Sequence, residues 1–428
     1  MSKKVLWKVL GGFLAIALLA AACAPKVVEA PATEPTVEEA EAPAAEVPAA
    51  TAAPVEPEEF VFGMLLVGPY NDRGYSQAHY DAGLYVEENV PGAKMVYLDK
   101  VNSADRPGTT PAQLGEELVA KGAKLVIFNS DDMKDSAHEF ALANPEIITL
   151  HASGDGNWAE GKDYKNIPNL ANIMGRMEYG KMIAGCAAAM TSTTGKIGYL
   201  GPLINEETRR LASSAFLGAQ YCWENYAKKD PAQLSFEVNW IGFWFNIPGF
   251  TSDPTQVADD FFNKNFDVVI SGIDTTEALT EAVKMRADGK TVFAIPYDFE
   301  DACAGGADAC LGVPYFNWGP AYAELAKSVI DGSFKPFYAW NGPDWADINN
   351  PDTSAVGFIK GDALSADAAA NLDSFIAELA GGLNLWKGPI NLQDGTAFLA
   401  DGETATDFQV WYMPQLLEGM VGLSTAAE

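Results

Sequence analysis

Short apolar runs alternate with longer amphipathic stretches along most of this chain, and that alternation restricts it to one fold class. Residues 60–67, 94–97, 124–128 and 147–150 read as buried strands, with helices over 76–89, 111–121 and 135–143 between them. The rhythm then repeats. Helices over 178–190, 206–226, 253–263 and 276–287 alternate with strands over 196–200, 235–243, 268–271 and 292–295. Repeated strand–helix–strand units predict parallel sheets covered by helices. Two successive runs of such units predict an α/β protein of two similar lobes. In open parallel sheets ligands sit beyond the carboxyl ends of the strands, and a cleft between lobes is a preferred pocket.

Upstream of the first strand the chain reads differently. Residues 1–22 open with Lys3 and Lys4, run through a Leu/Ala/Ile-rich stretch and end on Ala20-Ala21-Ala22 before Cys23. A basic start, a short apolar stretch and small residues describe a secretory leader. The stretch is short for a membrane span, which takes about 20 apolar residues. Cys23 after three small residues resembles a bacterial lipobox, so it is expected to carry a lipid. Residues 24–59 hold nine Glu and one Lys, with much Pro and Ala and no aromatic residue. Such a segment cannot bury enough apolar surface to offset its ordering entropy, so it is expected to be a disordered tether. The leader and tether place the folded part outside the cytoplasm, anchored at the cell membrane.

Composition then bounds the partners. The net charge of −30 argues against nucleic acid, whose capture depends on Lys and Arg at phosphates. Besides Cys23 there are four cysteines, an even number in an exported chain. Cys303 and Cys310 flank a Gly/Ala loop and are expected to pair. Cys186 and Cys222 lie in helical stretches, where a disulfide and two buried thiols both fit. Three His, with no metal-ligand spacing among them, predict no zinc site, and no metal or cofactor is expected.

The loops after the strands carry the candidate site. They hold Asn71, Asp72, Tyr75 and Ser76; Asn129 and Asp131; His151 and Ser153; Trp244; Asp274; Asp298; and Asn317 with Trp318. Aromatic faces beside carboxylates and amides suit a planar heteroaromatic ligand with polar edges, stacking on its face and reading its donors and acceptors. Bland roles compete at the same positions. Asp72 and Asp131 fit helix caps or turns, Trp240 fits a core, and Asn317 with Trp318 fits a helix start before Pro320.

Several of these segments resemble one family. They include Asn71-Asp72-Arg73-Gly74-Tyr75-Ser76-Gln77, Leu150-His151-Ala152-Ser153-Gly154, Gly175-Arg176-Met177-Glu178-Tyr179, Gly195-Lys196-Ile197-Gly198-Tyr199, Ala294-Ile295-Pro296-Tyr297-Asp298 and Asn317-Trp318-Gly319-Pro320. In order and spacing, from about Phe60 to Gly422, the chain resembles the basic membrane protein family of ABC-importer substrate-binding lipoproteins, related to the PnrA-like purine-nucleoside receptors. The resemblance implies a type I periplasmic-binding-protein fold: two Rossmann-like lobes joined by a three-stranded hinge. It places lobe 1 at 60–175 with part of the segment after 298, lobe 2 at 176–297, and the crossovers and completion of both lobes at 298–428. It implies a monomer that closes on a purine nucleobase or nucleoside and delivers it to a membrane permease. Tyr75 stands where PnrA-like members stack a Phe on the purine, Trp244 near their second stacking ring, and Asp298 at their acid after the strand. His151 replaces their base-reading Asp, and Phe316 replaces a ribose-side Lys, which favours a free base.

Other readings are a receptor for a sugar or other small polar ligand, a ligand-sensing lipoprotein, and an extracytoplasmic α/β enzyme. The sequence contains no nucleophile elbow, P-loop or zinc signature, which disfavours the enzyme.

Overall fold

A computed structural model of the protein describes residues 58–425. The leader, Cys23 and the tether before residue 58 lie outside the described residues. The first lobe runs β1 (Phe60–Leu65), α1 (Tyr75–Asn89), β2 (Ala93–Leu98), α2 (Pro111–Ala120), β3 (Leu125–Phe128), α3 (Lys134–Ala143), β4 (Ile148–Ala152) and β5 (Leu170–Gly175). The second runs α4 (Met177–Thr191), β6 (Lys196–Gly201), α5 (Glu206–Asn225), β7 (Ser235–Trp240), α6 (Pro254–Asn263), β8 (Val268–Ser271), α7 (Glu277–Ala287) and β9 (Phe293–Ile295). The remaining chain adds β10 (Gly312–Phe316), α8 (Gly319–Ile330), β11 (Phe337–Asn341), β12 (Val356–Lys360), α9 (Ala366–Ala380), β13 (Ile390–Asn391), β14 (Ala397–Leu399), α10 (Asp407–Trp411) and β15 (Met420–Val421).

The first sheet has the order β2-β1-β3-β4-β5-β11 and the second β9-β8-β6-β7-β15. Every pairing in both is parallel. Helices cover both faces of such sheets, so strands like β1 and β3 are apolar along their whole length and almost wholly buried. Helix starts follow from local chemistry. Thr110 and Gln113 form a reciprocal capping box before α2, and Asn205 and Thr208 do the same for α5.

From β1 the chain goes outward to β2 and returns on the other side to β3; from β6 it goes to β7 and returns to β8. Each lobe therefore has a crevice at its strand ends where the winding reverses, between β1 and β3 and between β6 and β8.

The chain crosses between lobes three times. The first crossing is the turn at Arg176 between β5 and α4. The second carries β10 and the third β12, and these two strands pair antiparallel. Only two of the three connections are hydrogen-bonded strands.

Cys303 and Cys310 are disulfide-bonded, and so are Cys186 on α4 and Cys222 on α5. Close approach explains the small residues of that helix pair. A Cβ on Gly185 would lie 1.9 Å from the Ala215 carbonyl oxygen, and one on Gly218 would lie 2.0 Å from that of Met182. Among the described residues, no helix is long and apolar enough to cross a membrane.

Candidate functional site

A cavity lies where the two crevices face each other. The first lobe supplies Tyr75 after β1, Ser130 and Asp131 after β3, and Ser153 after β4. The second supplies Tyr199 from β6, Pro202, Glu207, Thr208 and Leu211 around the start of α5, Trp244 after β7, and Gly272 with Asp274 after β8. Tyr297 and Asp298, at the second crossing, complete the wall.

Local structure aims these groups. Asp72 accepts hydrogen bonds from the amides of Gly74, Ser76 and Gln77 at 2.9, 3.1 and 3.0 Å, which fixes the first turn of α1 and so the ring of Tyr75. Behind Tyr75, Trp318 stacks on His79 and on Phe316 with ring centres 4.4 and 4.8 Å apart. Ser153 and Asp298 have φ of 63° and 74°, a left-handed conformation uncommon outside glycine. Two strained residues on one cavity wall are typical of a functional site. Asp298 is held there because its amide donates to Pro314 O and its carbonyl accepts from Phe316 N, both at 3.1 Å.

The cavity carries more acid than base. Asp298 is fully buried; neither carboxyl oxygen has a partner in good hydrogen-bond geometry, and the Tyr297 side chain comes close enough to favour the charged form. Burial pushes its carboxyl well above the usual range, and the nearby Lys181 ammonium pulls the other way. Lys181, fully buried, donates to Ser271 O at 2.7 Å and sits 3.1 Å above the centre of the Tyr297 ring. Burial lowers its pKa to about 7 despite Asp298. Burial also raises Glu207 to about 7, opposed by Arg210 at 3.8 Å. Asp274 is pushed upward by burial and then by Asp298. The Ser153 hydroxyl is likewise without a partner. The rings of Tyr75, Tyr199, Trp244 and Tyr297 thus line a cavity together with the Asp298 carboxyl and the partnerless Ser153 hydroxyl. A flat guest with N–H or O–H groups on its edge satisfies both features.

Of the residues singled out in the sequence, Tyr75, Asp131, Ser153, Trp244, Asp274 and Asp298 come together at the cavity. The others do not reach its wall. Asn71 is exposed on the loop. Asp72 caps α1, and Ser76 accepts from the Gly68 amide at 2.9 Å. Asn129 accepts from the Val67 amide at 2.9 Å and ties β1 to β3. Asn317 donates to the carbonyls of Pro351 and Ser354, joining the two crossing strands. Trp318 backs Tyr75. His151 lies beneath the wall, its Nε2 2.9 Å from Ser130 O; burial lowers its pKa to about 3, so the ring is neutral and donates there. A Cβ on Gly154 would lie 2.0 Å from its Nδ1, so this ring props the turn that presents Ser153.

The sequence pattern does not single out Glu207, Tyr199, Tyr297 or Lys181 as site residues. Glu207 follows the end of β6 and obeys the same strand-end rule as the others. Lys181 left one signal, a lone cation in the apolar and small-residue run of α4. Among the described residues, no three His, Cys, Asp or Glu gather as a metal-binding group.

Residues 60–341 match the family model described as ABC transporter substrate-binding protein PnrA-like. The chain is 27% identical over 353 residues to a purine-binding protein of Brucella abortus, covering 82% of this chain and 89% of that one. It is 23% identical over 290 residues to a protein of Haloferax volcanii assigned provisionally as an ABC transporter glucose-binding protein, covering 68% and 66%. Among solved structures, an ABC transporter solute-binding protein of Aeropyrum pernix superposes with a TM-score of 0.58 at 13% identity, over 78% of this chain and 93% of that one. That likeness is one of fold, the two-lobed type I periplasmic-binding architecture.

Proposed function

The chain belongs to the PnrA-like family of ABC transporter substrate-binding proteins, and from that membership we propose that it captures a purine nucleobase or nucleoside between its lobes. A lipid on Cys23 and the tether over residues 24–59 hold the receptor near a membrane permease, to which the closed monomer delivers the purine. The observation that carries the ligand reading is Asp298. A buried carboxyl group whose oxygens lack good partners is costly, and the N–H groups on the edge of a purine would let it ionise and accept from them. Tyr75 and Trp244 supply faces for that ring. The purine-binding relative of Brucella abortus, matched over most of both chains, supports the same choice.

A sugar is the second reading, favoured by the provisional glucose-binding assignment of the Haloferax volcanii relative. Sugars also stack on aromatic faces and donate to carboxylates.

Asp298→Asn tests the role given to the carboxylate, since it keeps the shape and removes the charge. Titration calorimetry with adenine, guanine, hypoxanthine and their nucleosides should show about 10- to 100-fold weaker binding, as expected from losing a hydrogen bond to a charged group. Wild-type affinity in the variant would remove Asp298 from the recognition scheme.

A further inference from the structure

At Gly74 the two lobes approach backbone to backbone. Gly74, in the loop between β1 and α1, faces Asp274, in the loop after β8 of the other lobe. A Cβ built on Gly74 would lie 1.7 Å from the Asp274 carbonyl oxygen and 2.6 Å from its carbonyl carbon. Real Cβ atoms essentially never approach closer than 3.0 Å. The obstacle is main chain, so no rotamer change can relieve it. Gly74 has φ −150°, so no left-handed conformation demands a glycine here. The close approach is enough by itself to require a residue without a side chain.

Both partners of this contact are held firmly. The Gly74 amide donates to Asp72 at 2.9 Å, within the three-amide clasp that starts α1. The Asp274 amide donates to the Trp244 carbonyl at 2.9 Å. Each side leads directly into the cavity wall. Tyr75 follows Gly74 in sequence, and Asp274 and Trp244 line the opposite face. Neighbouring contacts across the same junction are softer. A Cβ on Gly305 would meet Arg73 Nη1 at 3.4 Å, an ordinary distance to the mobile end of a long side chain. Asn205 Nδ2 reaches Asp131 Oδ2 at 3.4 Å.

We propose that Gly74 is the positioning residue for lobe closure: its contact with the Asp274 carbonyl sets the gap between Tyr75 on one lobe and Trp244 with Asp274 on the other. A single added methyl group holds the lobes apart and leaves each lobe intact. The proposal rests on the two-lobe receptor reading but not on the ligand being a purine.

The test compares wild type, Gly74→Ala and Gly305→Ala as full chains. Each is titrated with purine bases, purine nucleosides and glucose, with thermal melting of the free protein and small-angle scattering with and without ligand. Whichever compound wild type binds, Gly74→Ala should bind about a hundredfold or more weakly, because the binding-competent closed form is depopulated. Its free form should melt like wild type, and its radius of gyration should not contract at ligand concentrations that contract wild type. Gly305→Ala should match wild type in all three. Near wild-type affinity and contraction in Gly74→Ala would overturn the proposal. So would a Gly74→Ala protein that fails to melt cooperatively, since the clash would then lie within a lobe. A wild type that binds glucose and no purine would defeat the purine reading and leave the closure comparison readable.

Discussion

Glu207 shows how single residues of the cavity couple folding stability to pH. Burial raises its carboxyl from 4.5 to about 7, with Arg210 holding it back. Between those values the folded state keeps a proton that the unfolded chain has released. Stability of the ligand-free protein therefore falls as pH rises across that window. Asp298 and Asp274 act with the same sign, so the contribution of Glu207 is isolated by difference. Urea unfolding at pH 5 and 7 should show a larger loss for wild type than for Glu207→Gln; equal losses would mean that Glu207 is ionised throughout. Residues of this kind are only partly legible in sequence. Tyr75, Trp244 and Asp298 are legible as cavity-lining residues because they follow strand ends and carry aromatic or charged side chains. Asp72, Asn129 and Asn317 occupy similar positions, yet each spends its polar atoms on a main-chain partner. A polar side chain in a turn satisfies a backbone group as readily as a ligand, and only coordinates separate the two uses. Lys181 was hidden by its helix, since its partners Ser271 and Tyr297 are distant in sequence.

At the scale of elements, the pair α4 and α5 forms the backbone-close centre of the second lobe. Glycines at 185 and 218 allow the approach, and Cys186–Cys222 bonds the two helices across a separation of 36 residues. Closing a loop of that length restricts the unfolded chain by about 3–4 kcal/mol. Replacing both cysteines with Ser should lower the unfolding free energy by a corresponding amount and, because the unfolded chain expands, steepen its dependence on urea; an unchanged midpoint and slope would mean that the bond adds nothing beyond helix packing. The helices and strands of the two repeated units were legible because each carries its own periodic or apolar signal. β5, β11 and β15 were not read. β11 pairs only with β5 at the edge of its sheet, and β15 is two residues long and pairs only with β7. Their strand character comes from sheets assembled out of distant segments. The pairing of Cys186 with Cys222 stayed open for the same reason, because helix packing brings the sulfurs together.

The described residues form a two-lobed substrate-binding protein whose candidate cavity is lined by strand-end loops of both lobes. Membership in the PnrA-like family and the cavity's acceptor-rich aromatic walls supply the two halves of the functional account. Closure ties them together, since a ligand stabilises the closed form only by touching both lobes at once. The most direct measurement is thermal unfolding of the chain from residue 58 onward, refolded to strip carried ligand, with purine bases, purine nucleosides, sugars and amino acids. A purine at a hundred times its dissociation constant should stabilise the protein by about 2.7 kcal/mol. No shift with any purine, beside a clear shift with a sugar, would contradict the account.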